Sequence, residues 1–245
     1  MSGSHNKPID VPGTYAPELT AEEIQARVLH RDGLMLVLDK PAGLPVHRGP
    51  KGGANLEASF DGLRFGLPRP PVLAHRLDKD TSGCLVLGRH RKATASLGLL
   101  FKHGKIGKTY WAVVEGGPAE DEGSIDMPLG RLNVERGWWQ KPDPEGQTAV
   151  TNWKVRGRGD GLCWLALEPV TGRTHQLRVH TSATGWPIVG DNIYGNGPRF
   201  GEPILHLHSR EIVIPISKNK EPVRVVAPPP EHMRERLSAC GWNGE

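Results

Sequence analysis

Between Leu73 and Arg89 the chain reads LAHRLDKDTSGCLVLGR. His75, Arg76, Asp78, Lys79, Asp80, Thr81 and Ser82 crowd into eight positions. Gly83 then opens the apolar run Cys84-Leu85-Val86-Leu87, the pattern of a short buried strand. A carboxylate set among cations on a loop, with a buried strand behind it, is well placed to act as a nucleophile or base. A loop carrying a local ion-pair cluster accounts for the same residues. Two further stretches hold reactive side chains. In Lys108-Thr109-Tyr110, strand geometry puts Lys108 and Tyr110 on one face. In PVTGRTHQLRVH, Pro169 to His180, a helix starting near Thr174 puts His175 and Arg178 on one face at i, i+3.

These residues need elements to position them. Thr20 followed by Ala21-Glu22-Glu23 is a capping box for a short helix. Arg27–His30 and Leu34–Asp39 flank Arg31-Asp32-Gly33, a hairpin signal, with a helix continuing to His30 as the rival reading. Pro45 to Pro71 is rich in Pro and Gly and reads as loop, with His47 either facing the site or solvated. Arg91–His103 predicts a helix, with Ala93, Leu97, Leu100 and Phe101 on one face and Gly104 as its stop. Thr109–Glu115 predicts a strand. Thr148–Arg156 and Leu162–Glu168 predict paired strands around Gly157, Gly159 and Gly161. Ile204–Leu207 and Glu211–Ile216 predict two more strands, and Glu231–Ala239 a last helix after Pro228-Pro229-Pro230. Strands and helices mix without βαβ alternation, which indicates an α+β fold with a large mixed sheet.

Arg131–Gln147 is polar and turn-rich yet contains Trp138-Trp139. Beside Arg136 and Lys141 these rings could form a stacking surface for nucleic acid. A hydrophobic plug under the loop is the reading that composition favours. Arg89, Arg91, Lys92, Lys102, Lys105 and Lys108 gather around one helix, as phosphate contacts or simply a solvated face.

Length and composition narrow the class. The 245 residues suffice for one large domain or two small ones, and the net charge of +4 with a pI near 9.0 suits a polyanionic partner without requiring one. The three cysteines, Cys84, Cys163 and Cys240, form no CxxC pair, so neither a disulfide framework nor a zinc ribbon is indicated and a reducing, cytoplasmic setting follows. No stretch reaches the ~20 apolar residues of a membrane span, and no secretory signal is evident. Residues 1–19 read as a flexible tail.

The motifs resemble those of the RluA family of RNA pseudouridine synthases. HRLDKDTSG matches its HRLD-x-x-TSG signature. Asp39-Lys40-Pro41-Ala42-Gly43-Leu44 with Val46-His47 resembles its first motif, Lys108-Thr109-Tyr110 its K-x-Y element, and Pro169–His180 with Gly185–Asp191 and Tyr194-Gly195 its third. The matches keep the family's order over about Arg31 to Glu231. The resemblance implies one catalytic domain over residues 20–245, in which a mixed, mostly antiparallel central sheet flanked by helices and loops carries the active-site cleft. Some relatives carry an N-terminal S4-type RNA-binding domain, and with fewer than forty residues before Asp39 it is expected to be absent here.

The implied reaction breaks the uracil N1–C1′ bond, turns the base over and joins C5 to C1′, with no metal and no cofactor. By resemblance Asp78 is the catalytic carboxylate, Arg178 the cation set against it, and Tyr110 the ring that stacks on the base. Arg76 enters the RNA as the uridine flips out, with His75 and Lys108 beside it as RNA-contacting candidates and His75 supporting the loop. Thr171, Arg173, His175 and Gln176 support the third motif. For Arg178 a surface ion pair is the bland alternative, for Tyr110 a core tyrosine, for Arg76 a salt bridge within the protein. The expected substrate is a stem-loop of ribosomal or transfer RNA, and the expected state a monomer. A non-catalytic RNA binder on the same fold is the alternative function. A metal hydrolase would need better histidine spacing than His175 and His180 or His206 and His208 offer. A glycosidase pair of Asp78 and Asp80 is too close in sequence. Pro45 and Trp138-Trp139 depart from the family pattern and bear on substrate choice.

Overall fold

The computed structural model describes residues 18–49, 52–133, 138–217 and 219–244. The expected tail lies outside the described residues up to residue 17. Leu19 packs against the first core, and its carbonyl accepts the Ser59 hydroxyl at 2.6 Å. Thr20 caps α1 (Ala21–Ala26) through the reciprocal Glu23 box that the sequence specifies.

The α+β expectation holds. A ten-stranded sheet runs β1 (Val28–Arg31), β2 (Met35–Lys40), β4 (Ser82–Gly88), β11 (Leu207–Ile214), β5 (Gly107–Glu115), β10 (Leu162–Pro169), β9 (Val150–Gly159), β6 (Glu122–Asp126). Two short strands complete it: β3 (Val72–Leu73) on β4 and β12 (Val223–Val226) on β11. Every pairing is antiparallel except β4 with β11. Because those two run parallel, the start of β11 comes to the same end of the sheet as the polar turn before β4. Gly83 makes that pairing possible. At φ +101 it lies 2.3 Å, measured from an added Cβ, from the Ser209 carbonyl oxygen, so no side chain fits.

Alternation along the strands buries both faces. Leu36, Leu38, Leu85 and Leu87 form one core with α1, while Ala112, Val114, Leu165 and Leu167 form a second beside it. Tyr110 packs against both. Met35, Val37, Cys84 and Val86 point the other way, onto α2 (Arg91–Lys102), and Trp111, Val113 and Trp164 onto α4 (Glu231–Ala239).

Several local expectations need correction. The Pro45–Pro71 loop contains a 3₁₀ helix, Leu56–Leu63, whose Leu56, Phe60 and Leu63 reach the core. Of the two readings for His47 the solvated one holds, for it is exposed and pairs with Glu57 at 2.6 Å. The two strands expected over residues 204–216 are one, β11, because polar Ser209 and Arg210 lie in the ladder at a bulge rather than in a turn. Arg131–Gln147 folds partly as a hairpin of β7 (Leu129–Arg131) and β8 (Gln140–Pro142). α3 spans Gln176–Ala183, starting two residues after Thr174, because His175 takes a left-handed conformation at φ 54, ψ 16. Among the described residues no helix is long and apolar enough to cross a membrane.

Candidate active site

The polar turn is built from beneath. Asp78 and Thr81 close it, Thr81 N–H donating to the Asp78 carbonyl at 3.2 Å. The Lys40 ammonium, fully buried at the end of β2, donates to the carbonyls of Pro41, Lys79 and Thr81 at 2.9, 2.8 and 2.9 Å. Gly43 N–H donates to the same Lys79 carbonyl at 3.0 Å. The first motif therefore grips the backbone on both sides of Asp80. Burial pulls the Lys40 pKa down to about 7, against the nearby carboxylates of Asp80 and Asp78, which hold it up. Ser82, next in line, bonds the buried His208 ring at 2.9 Å and ties the turn to β11.

The turn opens into a cleft of about 800 Å³. All ten residues singled out in the sequence border it. Asp78 sits there with its side chain 28% exposed. Among the described residues its only ion-pair contact is long, 3.7 Å from Oδ2 to His175 Nε2. Arg76 is exposed on the rim and forms no ion pair among the described residues. His75 stacks on Phe101 at 4.2 Å, and its Nε2 accepts the Val86 N–H at 3.0 Å. Burial, aided by the Lys108 charge, drops its pKa to about 3, so the ring is a neutral strut for the turn. Burial also lowers the Lys108 pKa and, against a hydrogen bond from Ser209, raises that of Tyr110.

Arg178 differs from expectation in its partner. Its Nε and Nη2 grip Asp191 at 2.8 and 2.7 Å rather than Asp78. Both side chains are buried, 3% and 1% exposed, so this is no surface pair. Burial works against the Arg178 charge, but the Asp191 hydrogen bonds and charge outweigh it, with smaller help from Asp78 and Asp80, and the pKa rises. Asp191 Oδ1 also accepts the Ile193 and Tyr194 N–H groups. Arg178 Nη1 has no hydrogen-bond partner among the described residues.

The third motif is stapled by side-chain amides. Gln176 Oε1 accepts the Thr171 hydroxyl at 2.6 Å and the Arg173 N–H at 3.1 Å, while its Nε2 donates to the Val150 carbonyl and Thr151. Arg173 donates to the Thr148 carbonyl. His175, 7% exposed, meets the Tyr194 hydroxyl at 2.8 Å through Nδ1. That hydroxyl also accepts the Gln140 N–H at 2.9 Å, while the other ring nitrogen of His175, Nε2, faces Asp78. Burial lowers the His175 pKa, with Asp78 opposing and Arg178 assisting.

A model described as RNA pseudouridylate synthase matches residues 34–183. A still uncharacterised RNA pseudouridine synthase of Zymomonas mobilis is 43% identical over 209 residues, covering 84% of this chain and 94% of the relative. The chain belongs to the RluA-type family of RNA pseudouridine synthases, isomerases that convert uridine in RNA to pseudouridine. The ribosomal large subunit pseudouridine synthase D of Xanthomonas campestris is 35% identical, over 89% of this chain and 70% of its own. Human RNA pseudouridylate synthase domain containing 4 superposes with a TM-score of 0.74 at 28% identity, over 89% of this chain and 95% of that one.

Within this family member, sequence reasoning missed three residues at or behind the cleft. Lys40 was signalled by a lone ammonium ending an apolar strand. Asp191 and Tyr194 lay in the third motif but carried no pairing signal. Trp138 is 57% exposed and borders the cleft, which corrects the plug reading, while Trp139 is half-buried against it. Arg136 lies outside the described residues. Of the basic cluster, Lys102 and Lys108 reach the cleft. Arg91 and Lys92 sit at the opposite end of α2, and Arg89 donates to the Asp32 carbonyl.

Proposed function

We propose that this family member isomerises particular uridines in a structured ribosomal or transfer RNA, with Asp78 as the catalytic carboxylate. The observation that carries the reading is how the strong charges are paired. Arg178 spends its bidentate grip on Asp191, so among the described residues Asp78 stands at the cleft without a close ion pair, with cations held at a distance. A carboxylate committed to a bidentate arginine would be a poor nucleophile or base.

The reaction conserves atoms. The N1–C1′ bond breaks, C5 bonds to C1′, and the C5 proton leaves as a proton returns to N1. Asp78 serves by attacking C1′, by attacking C6, or by taking a proton from the sugar to give a glycal. All three routes need it within reach of the sugar edge. Tyr110 supplies a ring for the detached uracil at the seam of two cores. Arg178, locked by Asp191, offers Nη1 to the reacting groups. Arg76, exposed and free of ion pairs among the described residues, suits the gap left when the uridine is extruded, a step costing a few kcal/mol. Lys102, Lys108 and Arg173 around the cleft suit phosphates. The three buried free thiols suit a reducing compartment, which supports the cytoplasm.

The test is product identification. Ribosomal and transfer RNAs transcribed without modification are incubated with the protein, digested to nucleosides and separated by chromatography. Pseudouridine at the expense of uridine is the expected result. Unchanged uridine in both RNA classes would refute the reading.

A further inference from the structure

We propose that Trp138 forms a second nucleobase subsite at the mouth of the cleft, taking by stacking the base that neighbours the target uridine. The proposal deepens the isomerase reading and rests on it.

An indole left 57% exposed stabilises no core, so packing does not explain this one. Its place is nevertheless fixed. The Gln140 N–H, two residues on, is held by the Tyr194 hydroxyl at 2.9 Å, and that hydroxyl is held by His175 at 2.8 Å. The His175 ring meets Trp138 at 5.2 Å and near right angles, and Trp139 meets it edge-on at 5.8 Å and 79°. Trp138 is thus a preorganised platform whose remaining surface is open, the arrangement that makes stacking productive.

Its position names the occupant. His175 bridges the indole to Asp78, 5.2 Å from one ring and 3.7 Å from the other's carboxylate. A base on Trp138 is therefore next along the strand to a base at Asp78. The cleft, about 800 Å³, lies toward the upper end of the roughly 300–1,000 Å³ of small-molecule sites. It has room for more than one base. Its cations, Arg76, Lys102, Lys108 and Arg173, favour a polyanion over a peptide. A stacking platform reads no hydrogen-bond edge, so it selects an unpaired, unstacked neighbour rather than a particular base.

The experiment uses the full chain with Trp138→Ala, Trp138→Leu and Trp138→Phe, and C5-tritiated total ribosomal and transfer RNA transcribed without modification. Tritium release gives KM and kcat, and filter binding gives the RNA affinity. Trp138→Ala and Trp138→Leu should raise KM and weaken binding about 5- to 150-fold, the range for losing one stacked base, with the loss on KM rather than kcat. Trp138→Phe should keep most of the affinity. Once the uridine is mapped, an oligonucleotide abasic on one side of it should cost wild type what Trp138→Ala costs, and cost Trp138→Ala nothing more. Unchanged KM and affinity in Trp138→Ala, or abasic and tryptophan losses that add in full on both sides, would overturn the subsite. A fall in kcat alone would assign Trp138 to His175 positioning instead and equally overturn it. A wild type that releases no tritium would sink the isomerase reading itself, a result distinct from active enzyme indifferent to Trp138.

Discussion

Asp191→Asn tests the buried pair on which Arg178 depends. In the native protein the guanidinium and carboxylate are 3% and 1% exposed and joined by bonds of 2.8 and 2.7 Å. The asparagine removes the charge but keeps the shape, leaving Arg178 buried without its counterion. Breaking such a pair from one side costs about 3–5 kcal/mol. With 245 residues and about 2.1 cal/mol/K per residue, the unfolding entropy is about 0.5 kcal/mol/K. The melting temperature should therefore fall by about 6–10 °C in circular dichroism. The turn to Tyr194 loses strength too, because Asp191 Oδ1 accepts two backbone N–H groups there. Isomerase turnover should fall with it, measured well below the melting point. The double variant Arg178→Met/Asp191→Leu should regain part of the stability, since an apolar pair of similar volume avoids the desolvation cost. It should regain none of the turnover. An Asp191→Asn protein within about 1 kcal/mol of wild type, or an active double variant, would refute the reasoning.

Lys40→Met removes the donor from three buried carbonyls while preserving bulk. It should cost about 3 kcal/mol or more, and lower kcat about 10²-fold through a misplaced Asp78, with RNA affinity retained. Urea unfolding and tritium release measure both, and a fully active Lys40→Met would show that the turn holds itself. Stability should also fall with acid earlier than carboxylates alone allow. Burial holds His75 at about 3 and His206 and His208 at about 4, so below the unfolded value near 6.5 the unfolded chain takes protons that the folded chain refuses. Their contribution is complete above pH 6.5 and is lost as pH drops toward 4. Asp39, which burial pushes up to about 6, binds its proton in the fold and offsets part of this between pH 6 and 4. Asp191, held below the usual carboxylate range by Arg178 despite its burial, adds a loss only at lower pH. Denaturant unfolding at pH 7.5, 6 and 5 checks the window, and a flat profile would mean that the histidines are not buried neutral.

Much of this architecture was legible because local chemistry and tertiary packing agree. The Thr20–Glu23 box, the Asp32-Gly33 hairpin, α2 and α4 all follow from short-range patterns, and the structure has them nearly residue for residue. The motifs placed every chosen residue on one cleft. What escaped depends on long-range partners. Ser209 and Arg210 read as a turn because nothing local announces that Arg210 lies over Trp111 at 4.2 Å within the ladder. The α3 start is displaced by the left-handed His175, whose ring meets Tyr194 and Trp138, partners far away in the chain. Arg178 was expected against Asp78 from the family resemblance, and nothing local in the sequence announces that Asp191, thirteen residues on, takes its bidentate grip. Trp138 read as a plug because exposure is a property of the whole cleft, not of its loop.

The central claim is that Asp78 isomerises uridine in RNA. The most direct measurement is tritium release from C5-labelled unmodified RNA by wild type and Asp78→Asn, at equal RNA binding. The account predicts release by wild type and none by Asp78→Asn. Equal release by both would contradict it, and an RNA-binding wild type that releases nothing would make the chain a binder rather than an isomerase.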